Sequence, residues 1–292
     1  DQMFRSTMPY GRKGPAIFAI SAVDIALWDL AGKHFDQPVY ELLGGRVNDS
    51  VSIYASHLHF TNEDEFTREA AEYVRRGFSA MKMRFLHGPA DGRQGMYHNA
   101  HLVKLLRETV GDGVDIMADA YMGWDLEYAL RMCRELAPFD LKWIEEPLMP
   151  DDILGHAKIS RSVNIPVATG EIHQTRWDFE QILNNDAADI LQSDAGVCGG
   201  ITEWRKIASM AAGRDVTVAP HWLADIHVHL VASTPNASWV EYFTDHSVLN
   251  IGRLFSTSLE IKDAGLKIPQ NPGIGVEFDD KAVQKFSLDG WV

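Results

Sequence analysis

Short apolar runs, each ending in a polar or acidic residue and each followed by an amphipathic stretch, repeat along the middle of this chain. They fall at 51–56, 80–85, 114–119, 141–145, 165–171, 188–194, 216–221 and 239–243. Between them, apolar positions recur at helical spacing. Phe66, Ala70, Tyr73 and Val74 form one stripe before Gly77, a C-terminal cap. Leu126, Ala129, Leu130 and Cys133 form another after Asp125, which suits an N-cap. Ile201, Trp204, Ala208 and Ala211 form a third after Gly199-Gly200. Strands alternating with helices predict a parallel sheet covered on both faces. Eight such units predict an α/β fold of the (β/α)8 TIM-barrel type rather than an open sheet.

The flanks read differently. Residues 15–31 are expected to form a helix with Ile20, Val23, Leu27 and Leu30 on one side. After Thr244, Leu266-Lys267-Ile268-Pro269 and Pro272-Gly273-Ile274-Gly275 read as turns and short extended pieces. The expected division is 1–49 as the helical part of a capping layer, 50–245 as the barrel, and 246–292 as a segment returning to that layer.

Composition narrows the function classes. At 46% apolar over 292 residues the chain can bury a large core, which excludes wholesale disorder. Its 27 Lys and Arg stand against 41 Asp and Glu, a net charge of −14, which disfavours a nucleic-acid partner. Two cysteines, Cys133 and Cys198, argue against a disulfide scaffold and suit a reducing compartment. The most apolar stretch, 16–31, is interrupted by Asp24 and Asp29, and the start lacks a basic segment followed by an apolar run. The expectation is an acidic, cytoplasmic protein of enzyme size with no membrane partner.

In a barrel of this type the chemistry sits where strands end and βα loops begin. The candidates are therefore Asp119, Glu145, Glu171, Asp194 and His221, with Glu241 inside the last run. Asp119 to Glu145 is 26 residues, and Glu145 to Glu171 is 26 again. Equal steps of one βα unit place three carboxylates on neighbouring strands. Such groups repel unless protonated or neutralised by a cation. An all-oxygen donor set favours Mg2+ over zinc or copper. The competing reading, that each acid only caps the next helix, explains single cases better than three in register. Glu146 is expected to point away along the strand and to be secondary.

Asp194 and His221 close the next two runs. A carboxylate on imidazole orients the ring and raises its basicity, as a general base requires. His173, His227 and His229 read as structural. Lys82 and Arg84 share a face near the end of the second run, where two cations could meet a substrate carboxylate. Arg84 never deprotonates in practice, so a two-base racemase would have to rely on Lys82. Elimination by one base, His221, fits these residues better.

Asp119, Glu145-Glu146-Pro147, Gly170-Glu171, Asp194 and Pro220-His221 together resemble the mandelate racemase subgroup of the enolase superfamily. SAVDIALWDLAG at 21–32 and PVYELLGG at 38–45 look like the same subgroup, so the resemblance spans almost the whole chain. Within it, His87-Gly88-Pro89-Ala90-Asp91-Gly92 and Cys198-Gly199-Gly200 are similar to L-rhamnonate dehydratases. Asp225-Ile226-His227-Val228-His229-Leu230 looks more like talarate/galactarate dehydratases.

The resemblance implies Mg2+ on Asp119, Glu145 and Glu171, and His221 removing the proton beside a sugar-acid carboxylate to give an ene-diolate. Asp194 would orient His221. Loss of the 3-hydroxyl would then give a 2-keto-3-deoxy acid. Glu241 matches a carboxyl that hydrogen-bonds the substrate carboxylate, a role that requires it protonated. A homo-oligomer is also implied.

Two departures bear on the substrate. Ile172 separates Glu171 from His173, and Arg84 stands where many relatives place Lys or, in the rhamnonate group, Pro. Relatives begin with an α+β capping portion, and Asp1 already falls inside it, so the expected barrel mouth is open to water. Alternatives to the dehydratase are a racemase or epimerase of a 2-hydroxy acid, and a catalytically silent metal-stabilised barrel.

Overall fold

The structure is a computed structural model and describes residues 1–244, 251–262 and 264–288. Residues 246–250, 263 and 289–292 of the expected C-terminal segment lie outside the described residues. The barrel strands are β1 (Ser50–Leu58), β2 (Ala80–Arg84), β3 (Asp115–Asp119), β4 (Leu141–Glu145), β5 (Val167–Thr169), β6 (Ile190–Leu191), β7 (Thr217–Val218) and β8 (Val240–Tyr242). Each of the first six pairs in parallel with the next, and β8 pairs in parallel with β1. Val218 bridges Ala237 just ahead of β8, which closes the ring into a (β/α)8 TIM barrel. A short antiparallel pair, β9 (Ile261–Lys262) and β10 (Gly265–Lys267), extends the sheet from the start of β1.

Three helices precede the barrel: α1 (Gln2–Thr7), α2 (Pro15–Phe35) and α3 (Val39–Leu42). Those that follow are α4 (Glu63–Arg75), α5 (Gly92–Val110), α6 (Leu126–Leu136), α7 (Ile153–Ser162), α8 (Thr175–Asn184), α9 (Ala195–Cys198), α10 (Ile201–Ala212), α11 (Ala224–Ala232) and α12 (Asp280–Phe286). The caps obey local chemistry. Asp125 accepts from the Tyr128 N–H at 2.8 Å, and Asn62 accepts from the Glu65 N–H at 2.9 Å. Gly77 takes φ 90° just past α4, the left-handed turn that ends a helix at low cost.

Alternation along the strands builds two apolar layers. Val51, Ile53, Met81, Met83, Ile116, Ile144 and Val167 face the surrounding helices. Tyr54, Ala80, Met117, Trp143, Ala168 and Ala219 fill the barrel interior, where Tyr54 meets Trp143 edge-on at 5.4 Å. That aromatic floor lies beneath the charged residues of the mouth.

The expected helix forms as α2. Its apolar stripe faces outward: Val23, Leu27 and Leu30 are 47%, 53% and 62% exposed. The inward face buries Ile17, packs Ile25 and Trp28 against the core, and docks its small and polar residues by specific hydrogen bonds. Ser21 Oγ accepts from the Gly199 N–H, Asp24 from the Thr202 N–H and Asp29 from the Ile274 N–H. Gly32 lies so close to Gly273 that a Cβ would sit 2.6 Å from its Cα. By length and composition this helix is apolar enough to cross a membrane. Its two aspartates instead serve as acceptors within the fold.

Candidate active site

Arg84, Asp119 and Glu145 stand side by side in register across β2, β3 and β4. Glu171 lies two residues beyond β5, on a turn that Gly170 makes possible with φ 131°. Asp194 and His221 lie beyond the two-residue strands β6 and β7, in the loops rather than in the strands expected to end on them. Glu241 is inside β8 and faces the interior. All the acids are nearly inaccessible; His221 and Arg84 keep part of their side chains, 21% and 22%, open.

The two halves of the mouth are wired differently. On one side His221 Nδ1 lies 2.9 Å from Asp194 Oδ2, while Nε2 points to Glu171 Oε2 at 3.8 Å and Glu241 Oε2 at 3.9 Å. Asp194 Oδ1 accepts from the Gly196 N–H at 2.7 Å, so one oxygen caps a helix and the other holds the ring. Burial opposes a charged imidazole, but Asp194, Glu171 and Glu241 outweigh it and lift the His221 pKa to about 10.

On the other side Lys82 is sealed beneath the mouth. Its ammonium pairs with Glu145, lies 2.7 Å from Glu241 Oε1 and sits 5.6 Å above the Tyr54 ring. Burial alone would lower its pKa, yet Glu145 and Glu241 hold it well above the usual lysine range. This ammonium is a counterion within the barrel and is a poor candidate for the opposing base of a racemase. Arg84 is nearer the surface, with Nε 3.6 Å from Asp119 Oδ2 and its guanidinium 5.9 Å from the Phe243 ring centre.

The expectation that Glu241 is protonated is not met. Burial would raise its carboxyl, but Lys82 and His221 hold it well below the usual carboxylate range. Glu241 acts as an acceptor, from Ser56 Oγ at 2.5 Å and from the Trp222 N–H at 2.9 Å. As placed, it cannot donate to a substrate carboxylate.

The fit of a divalent ion follows from the donor set. Asp119, Glu145 and Glu171 supply oxygen only, and burial together with repulsion from Glu145 pushes Asp119 up to about 7. Glu171 is raised by burial, with repulsion from Glu145 adding to it. Repulsion of this kind is what a cation would relieve. Among the described residues no three His, Cys, Asp or Glu side chains converge tightly enough to hold an ion as they stand. Glu145 explains this: one oxygen faces Lys82 and the other accepts from Trp143 Nε1 at 2.9 Å.

Glu146 was expected to turn away, but strand alternation stops at Glu145 and Glu146 adopts a left-handed φ of 42°. Its Oε1 accepts from the Thr169 hydroxyl and from the Gly170 N–H at 2.9 Å. It thereby buttresses the turn that carries Glu171. Burial and the nearby Glu171 raise it to about 8. Ser56 and Tyr54 were also missed; each lies in the first run, where pairing of β1 with β2 brings Tyr54 to Lys82 and barrel closure brings Ser56 to Glu241. His173 and His229 are structural, bonding the Pro150 and Ile274 carbonyl oxygens with burial lowering both rings.

Known proteins are similar to this chain in sequence and fold. Residues 65–282 match the family described as "Enolase C-terminal domain-like", and residues 2–44 match "Mandelate racemase / muconate lactonizing enzyme, N-terminal domain". An L-rhamnonate dehydratase of Saccharopolyspora erythraea is 38% identical over 286 residues, covering 96% of this chain and 71% of that protein. The crystal structure of L-talarate dehydratase from Polaromonas sp. JS666, complexed with Mg and L-glucarate, superposes with a TM-score of 0.87. It is 35% identical, with 97% of this chain and 76% of that one covered. A racemase from Streptomyces coelicolor A3(2) with bound magnesium gives a TM-score of 0.90 at 33% identity, covering 98% of this chain and 77% of that one. The chain belongs to the mandelate racemase subgroup of the enolase superfamily.

Proposed function

We propose that this protein is a Mg2+-dependent acid-sugar dehydratase, a hydro-lyase acting on a sugar acid similar to L-rhamnonate. The observation that carries the reading is the Asp194–His221 pair beside three buried strand-end carboxylates. Its relatives include a dehydratase of L-rhamnonate and one crystallised with magnesium and L-glucarate. Asp119, Glu145 and Glu171 would hold the ion, with Glu145 exchanging its Lys82 contact for it. Bound there, Mg2+ supplies positive charge that stabilises a substrate carboxylate as the neighbouring C–H becomes acidic.

The remaining chemistry belongs to side chains. His221 Nε2 faces the same space as Glu171 and Glu241, and in its neutral form takes the proton beside the carboxylate. Asp194 keeps the Nδ1 side of the ring fixed throughout. The resulting imidazolium returns the proton to the hydroxyl on the next carbon, which leaves as water. The enol that remains tautomerises to a 2-keto-3-deoxy acid. Ionised Glu241 accepts from a substrate hydroxyl, and Arg84 offers a permanent cation at the rim.

The racemase reading draws on the Streptomyces neighbour, but both β2 cations disfavour it: Lys82 is paired on two sides and Arg84 keeps its proton. A sugar-acid library assayed for 2-keto acid formation, with and without Mg2+, tests the proposal. Deuterium exchange in D2O without loss of water, in every acid tried, would overturn it in favour of racemisation.

A further inference from the structure

Two residues in left-handed conformation directly follow His221. Trp222 and Leu223 take φ 50° and 35° although both carry a Cβ. Such a turn persists only where its surroundings over-determine it. Here the Trp222 peptide units are held at both ends. The amide donates to Glu241 Oε2 at 2.9 Å, and the carbonyl accepts from His227 Nδ1 at 2.7 Å.

The second nitrogen of that same ring reaches the other half of the catalytic pair. His227 Nε2 accepts from the Ala195 N–H at 3.0 Å. A backbone amide only donates and a carbonyl only accepts, so the ring is neutral with its proton on Nδ1. It is fully buried in α11. Its Nε2 is 3.8 Å from Asp194 Oδ1, too far to take part in the hydrogen bond between Asp194 and His221. One imidazole therefore ties the residue after Asp194 to the residue after His221.

We propose that His227 is a positioning residue that sets the 2.9 Å contact between Asp194 and His221 by clamping the two backbone segments that carry them. It does not touch the substrate. The kinetic part of its test rests on the reading of His221 as the base; the spectroscopic part does not.

The test uses the whole chain with His227→Phe, which removes both bonds, and with His227→Asn and His227→Gln, each of which can keep one. In protein labelled with 15N-histidine, the His221 Nδ1 proton should be protected in the wild type and lost to exchange in His227→Phe. Turnover of the sugar acid found by the library screen should fall on the order of tenfold or more, because a small misplacement of the base is enough. KM and Mg2+ affinity should stay within about twofold, since a positioning defect spares ground-state binding. A folded His227→Phe protein with its His221 proton intact and turnover unchanged overturns the proposal. If that variant fails to fold, the Asn and Gln variants decide: turnover reduced at near-normal melting temperature supports the clamp, and wild-type turnover in both sinks it. If the wild type turns over no sugar acid, the dehydratase reading fails, and the proton spectrum still decides the role of His227.

Discussion

Lys82 on β2 reaches past β1 to Glu241 on β8, with 2.7 Å between Nζ and Oε1. The contact spans the seam at which the barrel closes, and Glu145 shares the same ammonium from the opposite side. Lys82→Met would leave two buried carboxylates without their counterion, and breaking such an arrangement costs about 3–5 kcal/mol. Urea denaturation should show that loss, and Lys82→Met with Glu241→Gln should recover part of it. A Lys82→Met protein as stable as the wild type would remove Lys82 from the structural frame.

His221→Asn keeps a polar group beside Asp194 but cannot accept the substrate proton. Turnover should fall by roughly 10²–10⁴, the range general-base catalysis supplies. Mg2+ binding by calorimetry should be retained. Residual turnover near the wild-type rate would falsify the base assignment.

Glu145→Gln removes one anionic oxygen from the proposed ligand set and frees Lys82 from one of its ion pairs. Mg2+ affinity should drop by tenfold or more, on the order of 1.4 kcal/mol. Unchanged affinity in a calorimetric titration would exclude Glu145 as a ligand.

The pH dependence has a definite sign. Asp119 is raised from 3.8 to about 7, so the folded chain binds more protons than the unfolded chain between those values, and stability falls as pH rises through them. His221 is raised from 6.5 to about 10, so the stability it contributes is complete below 6.5 and is lost as pH climbs to 10. Both act in one direction. The buried His156, His173, His227 and His229 are lowered and oppose this only up to about 6.5, so protein treated with EDTA should melt at lower temperature at pH 9 than at pH 7, and saturating Mg2+ should narrow the gap. A midpoint that rises over that interval without metal would contradict these shifts.

Much of the fold was legible because barrel strands are short, apolar and evenly spaced. The 26-residue steps from Asp119 to Glu145 to Glu171 follow the repeat of the fold itself, and Asp119 and Glu145 do pair in register. What sequence could not supply is how charges choose partners after closure. Lys82 lies 159 residues from Glu241 along the chain, and only the closed ring brings Lys82, Ser56 and Glu241 together. Periodicity also located helix α2 but not its inward side. That side is fixed by hydrogen bonds from Ser21, Asp24 and Asp29 to distant backbone, whereas the apolar stripe that defines the pattern faces water. His227 reads only as structural in the sequence for a related reason, since a histidine in an apolar helix carries no sign of the two loops it joins.

The strands themselves divide the ring. Asp119 and Glu145 terminate five-residue strands, whereas Asp194 and His221 stand in connections beyond strands of only two. A framework built this way can drift on one side while the other stays put. Substitutions in the connections after β6 and β7 can reshape how the proton-transfer apparatus meets a new sugar, with the ion's anchorage on β3 and β4 left undisturbed.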